Sequence, residues 1–135
     1  MAVTWSKDLE TGNAQIDSEH QTLLKAADDL IDACTKGKGR EAIGPAVDFL
    51  VSYTKTHFTH EQGLQLKYNF PEYPNHVKWH QTYVADMEAL AVKIKEQGPT
   101  IAMVAEVNME ISKLLTHIKT MDVRLAKHIK SASGK

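Results

Sequence analysis

The sequence predicts an all-α protein, an antiparallel up-down-up-down four-helix bundle with an irregular N-terminal arm. Three observations carry that expectation. Four long segments repeat their apolar residues at threes and fours, the spacing of one helix face. Short breaks rich in glycine or proline separate them, too short for anything but antiparallel neighbours. No segment alternates apolar and polar residues for long enough to argue a strand.

Residues 1 to 17 mix polar and apolar side chains around Gly12 and Asn13 and read as the arm, with Trp5 as its anchor on the bundle. The first helix is expected to open at Asp17 or Ser18, where Ser18-Glu19-His20-Gln21 fits a capping box. Leu23, Leu24, Ala27, Leu30, Ile31 and Cys34 form its stripe, and Lys36-Gly37-Lys38-Gly39 stops it. The second helix starts near Glu41, since Pro45 is tolerated only in a first turn, and ends before Pro71. The third runs from about Pro74 to Gln97, where Gly98-Pro99 breaks it; the fourth runs from about Thr100 to Lys130.

Length and composition bound the function. The chain, 135 residues long, is the size of one domain, so residues 1–135 are read as a single unit. Sixteen basic and 17 acidic residues give a net charge of −1, which removes the electrostatic case for nucleic acid or an anionic membrane as partner. No apolar run approaches the ~18 residues of a membrane span. The opening MAVTWSKDLETG lacks a basic-then-apolar export signal, so a cytoplasmic location is expected. The one cysteine, Cys34, cannot form an internal disulfide or a thiolate metal site, and reads as apolar filler.

Seven histidines stand out, and five of them fall on inward faces. His20 precedes Leu23, Leu24 and Ala27 on their stripe, and His57 follows Leu50 and Tyr53. His76 and His80 are four apart and lead into Tyr83, Val84 and Met87. His117, three after Leu114, lies at the margin of its stripe. Two carboxylates join them. Glu61 is four after His57, on the same side of the helix. Asp122 is five after His117, and five residues turn an ideal helix through about 140°. These two do not share a face; they reach one site from two sides, or through a local widening of the turn. His60 and His128 fall outside the pattern and read as surface residues.

A lone interior histidine is usually a satisfied core residue. Five imidazoles and two carboxylates in one small core are different, because each unsatisfied buried polar group costs about 1–3 kcal/mol. Metal ions remove that cost, since every one of these groups is a good ligand. Seven side chains are too many for one ion, whereas two ions bridged by the carboxylates fit. A donor set without thiolate suits iron, zinc, manganese or copper. His60-Glu61-Gln62-Gly63-Leu64 begins like the zinc-protease HExxH, but Leu64 replaces the second histidine. The Glu-x-x-His pair of carboxylate-rich di-iron bundles is absent, as are phosphate loops and nucleophile elbows.

Four motifs together resemble the hemerythrin family in its bacterial form: Ile16-Asp17-Ser18-Glu19-His20, His57-Phe58-Thr59-His60-Glu61, His76-Val77-Lys78-Trp79-His80, and His117-Ile118-Lys119-Thr120-Met121-Asp122. All seven ligand positions are filled in order over nearly the whole chain. One common feature differs: Gln62 stands where a second glutamate often follows the ligand glutamate. The resemblance implies a non-haem centre of two Fe ions that binds O₂ reversibly. It assigns His76, His80 and His117 to one iron and His20 and His57 to the other. Glu61 and Asp122 bridge them, with an oxo or hydroxo group as third bridge. Six ligands then saturate the first iron, and five leave the second one vacancy for O₂. Retaining O₂ reversibly favours a dry surround, and Leu23, Phe58, Leu114 and Ile118 are its candidates; the same four residues also read as ordinary core.

Oxygen carriage, storage or delivery is therefore the expected function, with no enzymatic activity. The alternative is an O₂- or redox-sensing module, which, like a delivery role, brings in a protein partner. An enzyme, whether binuclear hydrolase, peroxidase or nitric-oxide reductase, fits least, because the site is rich in histidine and set among apolar stripes.

Overall fold

The computed structural model describes residues 5–36 and 40–133. It is all-helical, with no strand among the described residues. After a short 3₁₀ turn at Lys7–Leu9 come α1 (Ala14–Thr35), α2 (Arg40–Lys67), α3 (Tyr73–Gln97) and α4 (Ile101–His117). The last helix does not stop at His117. It widens into a π-helical turn, Ile118–Asp122, and continues as α5 (Val123–Ala132). Counting α4, the π turn and α5 as one rod, four helices pack α1 on α2, α2 on α3, α3 on α4 and α4 on α1, which closes a four-helix bundle. That ring is compatible with the expected up-down order. No described helix is long and apolar enough to cross a membrane.

The helix ends follow local chemistry, and three features depart from the plain helices outlined from sequence. The first helix opens a turn early: Asn13 is the cap, its Oδ1 accepting from the Ile16 N–H at 3.0 Å. Asp17 is already inside the helix and holds the arm, accepting from the Thr11 N–H (2.9 Å) and hydroxyl (2.8 Å). No Ser18 capping box forms, because Ser18 lies beyond the first turn. The arm is less irregular than expected, since Leu9 is buried in the core and Trp5 packs on it. Pro45 lies in the second turn of α2 rather than the first, where it forgoes one helix hydrogen bond. The third difference is the π turn.

Lys36 caps the end of α1, but Gly37, Lys38 and Gly39, the remainder of the expected stop, lie outside the described residues. At the end of α2, Asn69 takes the left-handed conformation (φ 54°), and the Phe70 N–H reaches back to the Gln65 carbonyl at 2.8 Å. Thr100 caps α4 by accepting from the Met103 N–H at 3.1 Å.

Two apolar clusters fill the bundle. The larger runs through Leu23, Leu30, Val47, Leu50, Met87 and Ile94 on the first three helices to Val107, Leu114 and Ile118 on the fourth. The smaller comprises Ile16, Phe70, Leu125 and Ile129. Burying such a side chain fully contributes roughly 1.5–3 kcal/mol.

Candidate metal centre

Each helix delivers its part of the donor set. His20 comes from α1, His57 and Glu61 from α2, His76 and His80 from α3. His117 closes α4, and Asp122 closes the π turn. All seven are buried, none more than 2% exposed. His117, expected at the margin of its stripe, is fully interior.

The π turn settles how Asp122 meets His117. A π-helix bonds residues five apart, so the separation that divides two faces of an α-helix here brings them together. His117 Nε2 lies 3.1 Å from Asp122 Oδ1. Of the two routes open from sequence, the widening is the one realised.

The two carboxylates divide their oxygens between two groups of histidines. Glu61 Oε2 faces His57 Nε2 (2.9 Å) and His20 Nε2 (3.3 Å), and Asp122 Oδ2 faces His20 Nε2 (3.0 Å). Glu61 Oε1 faces His80 Nε2 (3.3 Å) and His76 Nε2 (3.5 Å). Asp122 Oδ1 faces the Nε2 atoms of His76 and His117, both at 3.1 Å. One donor atom from each of Glu61, His76, His80, His117 and Asp122 falls within 4.8 Å of all the others; the same holds for His20, His57, Glu61 and Asp122. Three histidines with both carboxylates form one nest, and two histidines with the same carboxylates form the next.

Metal ions fit these nests. Neighbouring donors around a six-coordinate ion with ~2.1 Å bonds lie about 3.0 Å apart, and the Nε2–oxygen pairs here span 2.9 to 3.5 Å. The Nε2 atoms of His20, His57 and His80 and both oxygens of Glu61 and Asp122 are buried without a completed hydrogen bond. His76 and His117 point their Nε2 atoms at each other, 3.1 Å apart. Protein atoms alone leave this arrangement unsatisfied, and cations satisfy it.

The electrostatics tell the same story in protons. Burial pushes the His57 imidazolium toward neutrality, but Glu61 on one nitrogen and Glu19 on the other outweigh it and lift the group to about 10. Burial is likewise overcome at His76, lifted to about 9 by Asp122 and Glu61, and at His20, raised by the same pair. At His80, burial, helped by the charges of His76 and His117, beats Glu61 and holds the ring down to about 4. Burial alone would raise both carboxyls. The surrounding imidazoles instead keep Glu61 well below the usual carboxylate range, and Asp122 too falls below its ordinary value despite Glu61's charge.

Several contacts around the donors escaped sequence reasoning. Glu19, read there as part of a cap, accepts from His57 Nδ1 at 2.7 Å and contacts the half-exposed His60 at 2.9 Å. Gln62 Oε1 contacts His80 Nδ1 at 3.2 Å, so this departure from the usual glutamate still orients a donor. Trp79 stacks on His117 with ring centroids 3.8 Å apart, and Phe58 lies flat on His80 at 3.7 Å. Leu23, Phe58, Leu114 and Ile118 are all buried and belong to the larger apolar cluster. His60 lies at the surface, whereas His128 is half-buried against Phe70 and bonds the Tyr68 carbonyl at 2.6 Å.

Comparison with known proteins agrees with this geometry. Residues 11–130 match the family model described as the hemerythrin HHE cation binding domain. A bacteriohemerythrin of Pseudomonas aeruginosa is 29% identical over 93 residues, which span 69% of this chain and 60% of that protein. The myohemerythrin of Riftia pachyptila is 29% identical over 120 residues, 89% of this chain and 88% of its own. A bacteriohemerythrin of Stenotrophomonas maltophilia is 26% identical over 130 residues, 96% of this chain and 82% of its own.

Proposed function

The chain belongs to the hemerythrin HHE cation-binding family, and from that premise we propose that it binds O₂ reversibly at a non-haem di-iron centre, in oxygen carriage, storage or delivery rather than catalysis. The observation that carries this reading is the division of Glu61 and Asp122 between a three-histidine nest and a two-histidine nest. Iron is the assignment because nitrogen and oxygen donors without thiolate admit it and because, among the metals they admit, similarity to proteins with hemerythrin names favours it.

In this reading His76, His80 and His117 would hold one iron, His20 and His57 would hold the other, and Glu61 and Asp122 would serve both. With both carboxylates shared, one iron would draw on five of these side chains and the other on four. When bound, the iron pair would supply the reversible redox chemistry that O₂ binding requires. The chain's own residues keep that exchange reversible. Glu19 fixes the His57 ring and Gln62 the His80 ring, each holding Nε2 toward the carboxylates. Leu23, Phe58, Leu114 and Ile118 exclude water from the O₂ pocket.

The test is direct. Iron-loaded protein is reduced anaerobically, exposed to O₂ and then stripped of it, with the visible charge-transfer colour followed throughout. Repeated gain and loss of colour is expected. One irreversible change would replace the carrier with a sensor or oxidase, and a colourless zinc protein would favour a hydrolase.

A further inference from the structure

Below the donors, toward the smaller apolar cluster, the bundle core has a layer of its own. Ile16 lies four residues before His20 and Leu125 three after Asp122, each one turn from a donor on the same face. Phe70 packs edge-on to His76 with ring centroids 6.1 Å apart. Gln65 is four residues after Glu61 on α2, and its carbonyl holds the Phe70 N–H at 2.8 Å. Three of these side chains are apolar. Gln65 is not, yet it is 0% exposed, and neither its Oε1 nor its Nε2 has a partner.

Each such group costs about 1–3 kcal/mol if it stays unmade, and buried water is the usual way a core meets that demand. A second unmet group lies on the same layer's roof. Histidines that bind metal through one nitrogen pass the other N–H to an outer partner. His57 has Glu19 and His80 has Gln62, but the Nδ1 atoms of His20, His76 and His117 are buried with nothing to receive them; of these three, His76 is the one packed on Phe70. Phe70 links the two places, bonded to Gln65 through its backbone and packed on His76 through its ring.

We propose that Gln65 holds an internal water molecule that accepts from His76 Nδ1–H, so that residue and water together form the outer support of the His76 ligand. Gln65 is a positioning residue here: it touches neither iron nor O₂. The inference rests on the metal reading of the seven donors and deepens it.

The test separates support of a ligand from simple core packing. Gln65→Met nearly preserves shape, and Gln65→Leu serves as a second variant. Both make the layer wholly apolar, so the metal-free variants are expected to melt at or above the parent temperature. Cobalt(II) retention against a competing chelator is expected to fall about tenfold in both, the lower end of what loss of an outer partner causes. A crystal structure of the cobalt-loaded parent should show a water within hydrogen-bond reach of Gln65 and His76 Nδ1, absent from the variants. Unchanged cobalt retention in both variants, or a parent carboxamide bonded only to protein groups, overturns the proposal. Retention is measured without iron or O₂, so a failure of reversible oxygen binding leaves this result standing and is recognised separately.

Discussion

Loading the centre with metal should expel protons, and the structure says how many. His57 and His76 stand at about 10 and about 9 before metal arrives, so at pH 7.5 both are almost wholly protonated. His80, held at about 4, is already neutral. Each Nε2 must be bare to bind a cation, so His57 and His76 together release about two protons per chain; His20, also raised, adds to that. Two protons make apparent metal affinity rise about a hundredfold per pH unit between roughly pH 7 and 9, and the slope flattens above about 10. Titration calorimetry in buffers of different ionisation enthalpy counts the protons. Fewer than one proton released per chain at pH 7.5 would refute the picture of imidazolium groups clasped by Glu61, Asp122 and Glu19. The same shifts fix the stability of the metal-free protein. Raised histidines contribute stability fully below their unfolded value of ~6.5 and lose it as pH climbs through about 9 and 10. The depressed carboxyls of Glu61 and Asp122 contribute above their ordinary range of ~4 and lose it as pH falls through their lowered values. His80, held at about 4, takes up its proton only in the unfolded chain between roughly pH 4 and 6.5, so stability rises through that window. The metal-free melting temperature should therefore peak near about pH 6.

Three further outcomes are expected. Glu61→Ala removes a shared ligand from both nests, so metal analysis should fall from two ions per chain to one or none; two ions with unchanged spectra would contradict the bridging role. Leu114→Ala and Ile118→Ala open the dry wall and should speed autoxidation about tenfold or more while costing about 2–4 kcal/mol of folding stability; autoxidation equal to the parent's in identical buffer would remove these residues from the pocket. Asn13→Ala leaves the Ile16 N–H uncapped and should lower stability by about 1 kcal/mol in denaturant titration, with metal content unaffected.

Helical periodicity made the four rods legible, because inward stripes and proline or glycine breaks are local signals. The donors were legible for the same reason: a histidine among leucines at threes and fours is out of place on a solvated face. What stayed hidden depended on side chains meeting across helices. Glu19 and His57 are 38 residues apart, and nothing in the spacing of α1 announces that Glu19 turns inward to meet α2. The sequence at Ser18-Glu19 instead satisfied a capping pattern, but Asn13 had already taken the cap. Gln65 gave no warning either, since a single glutamine among Leu64, Leu66 and Tyr68 does not reveal which way its amide points.

The π turn shows which demand prevailed in the fourth helix. A regular α-helix from Thr100 onward would put residue 121 nearly over His117 and leave Asp122 about 140° round from His117, on a face that cannot share a centre with the three histidines. One widened turn replaces the four-residue bond with a five-residue one, a rare and weaker pattern concentrated at functional sites. In return it lets Oδ1 and Oδ2 of Asp122 face both nests at 3.0–3.1 Å. Packing alone supplies no reason for it, since Leu114 before and Leu125 after are buried as ordinary helix residues are. The distortion is explained by the need to aim one carboxylate at two positions. That places its cause in the centre rather than in the core, and makes the geometry of Asp122 the feature of the fold most closely bound to function.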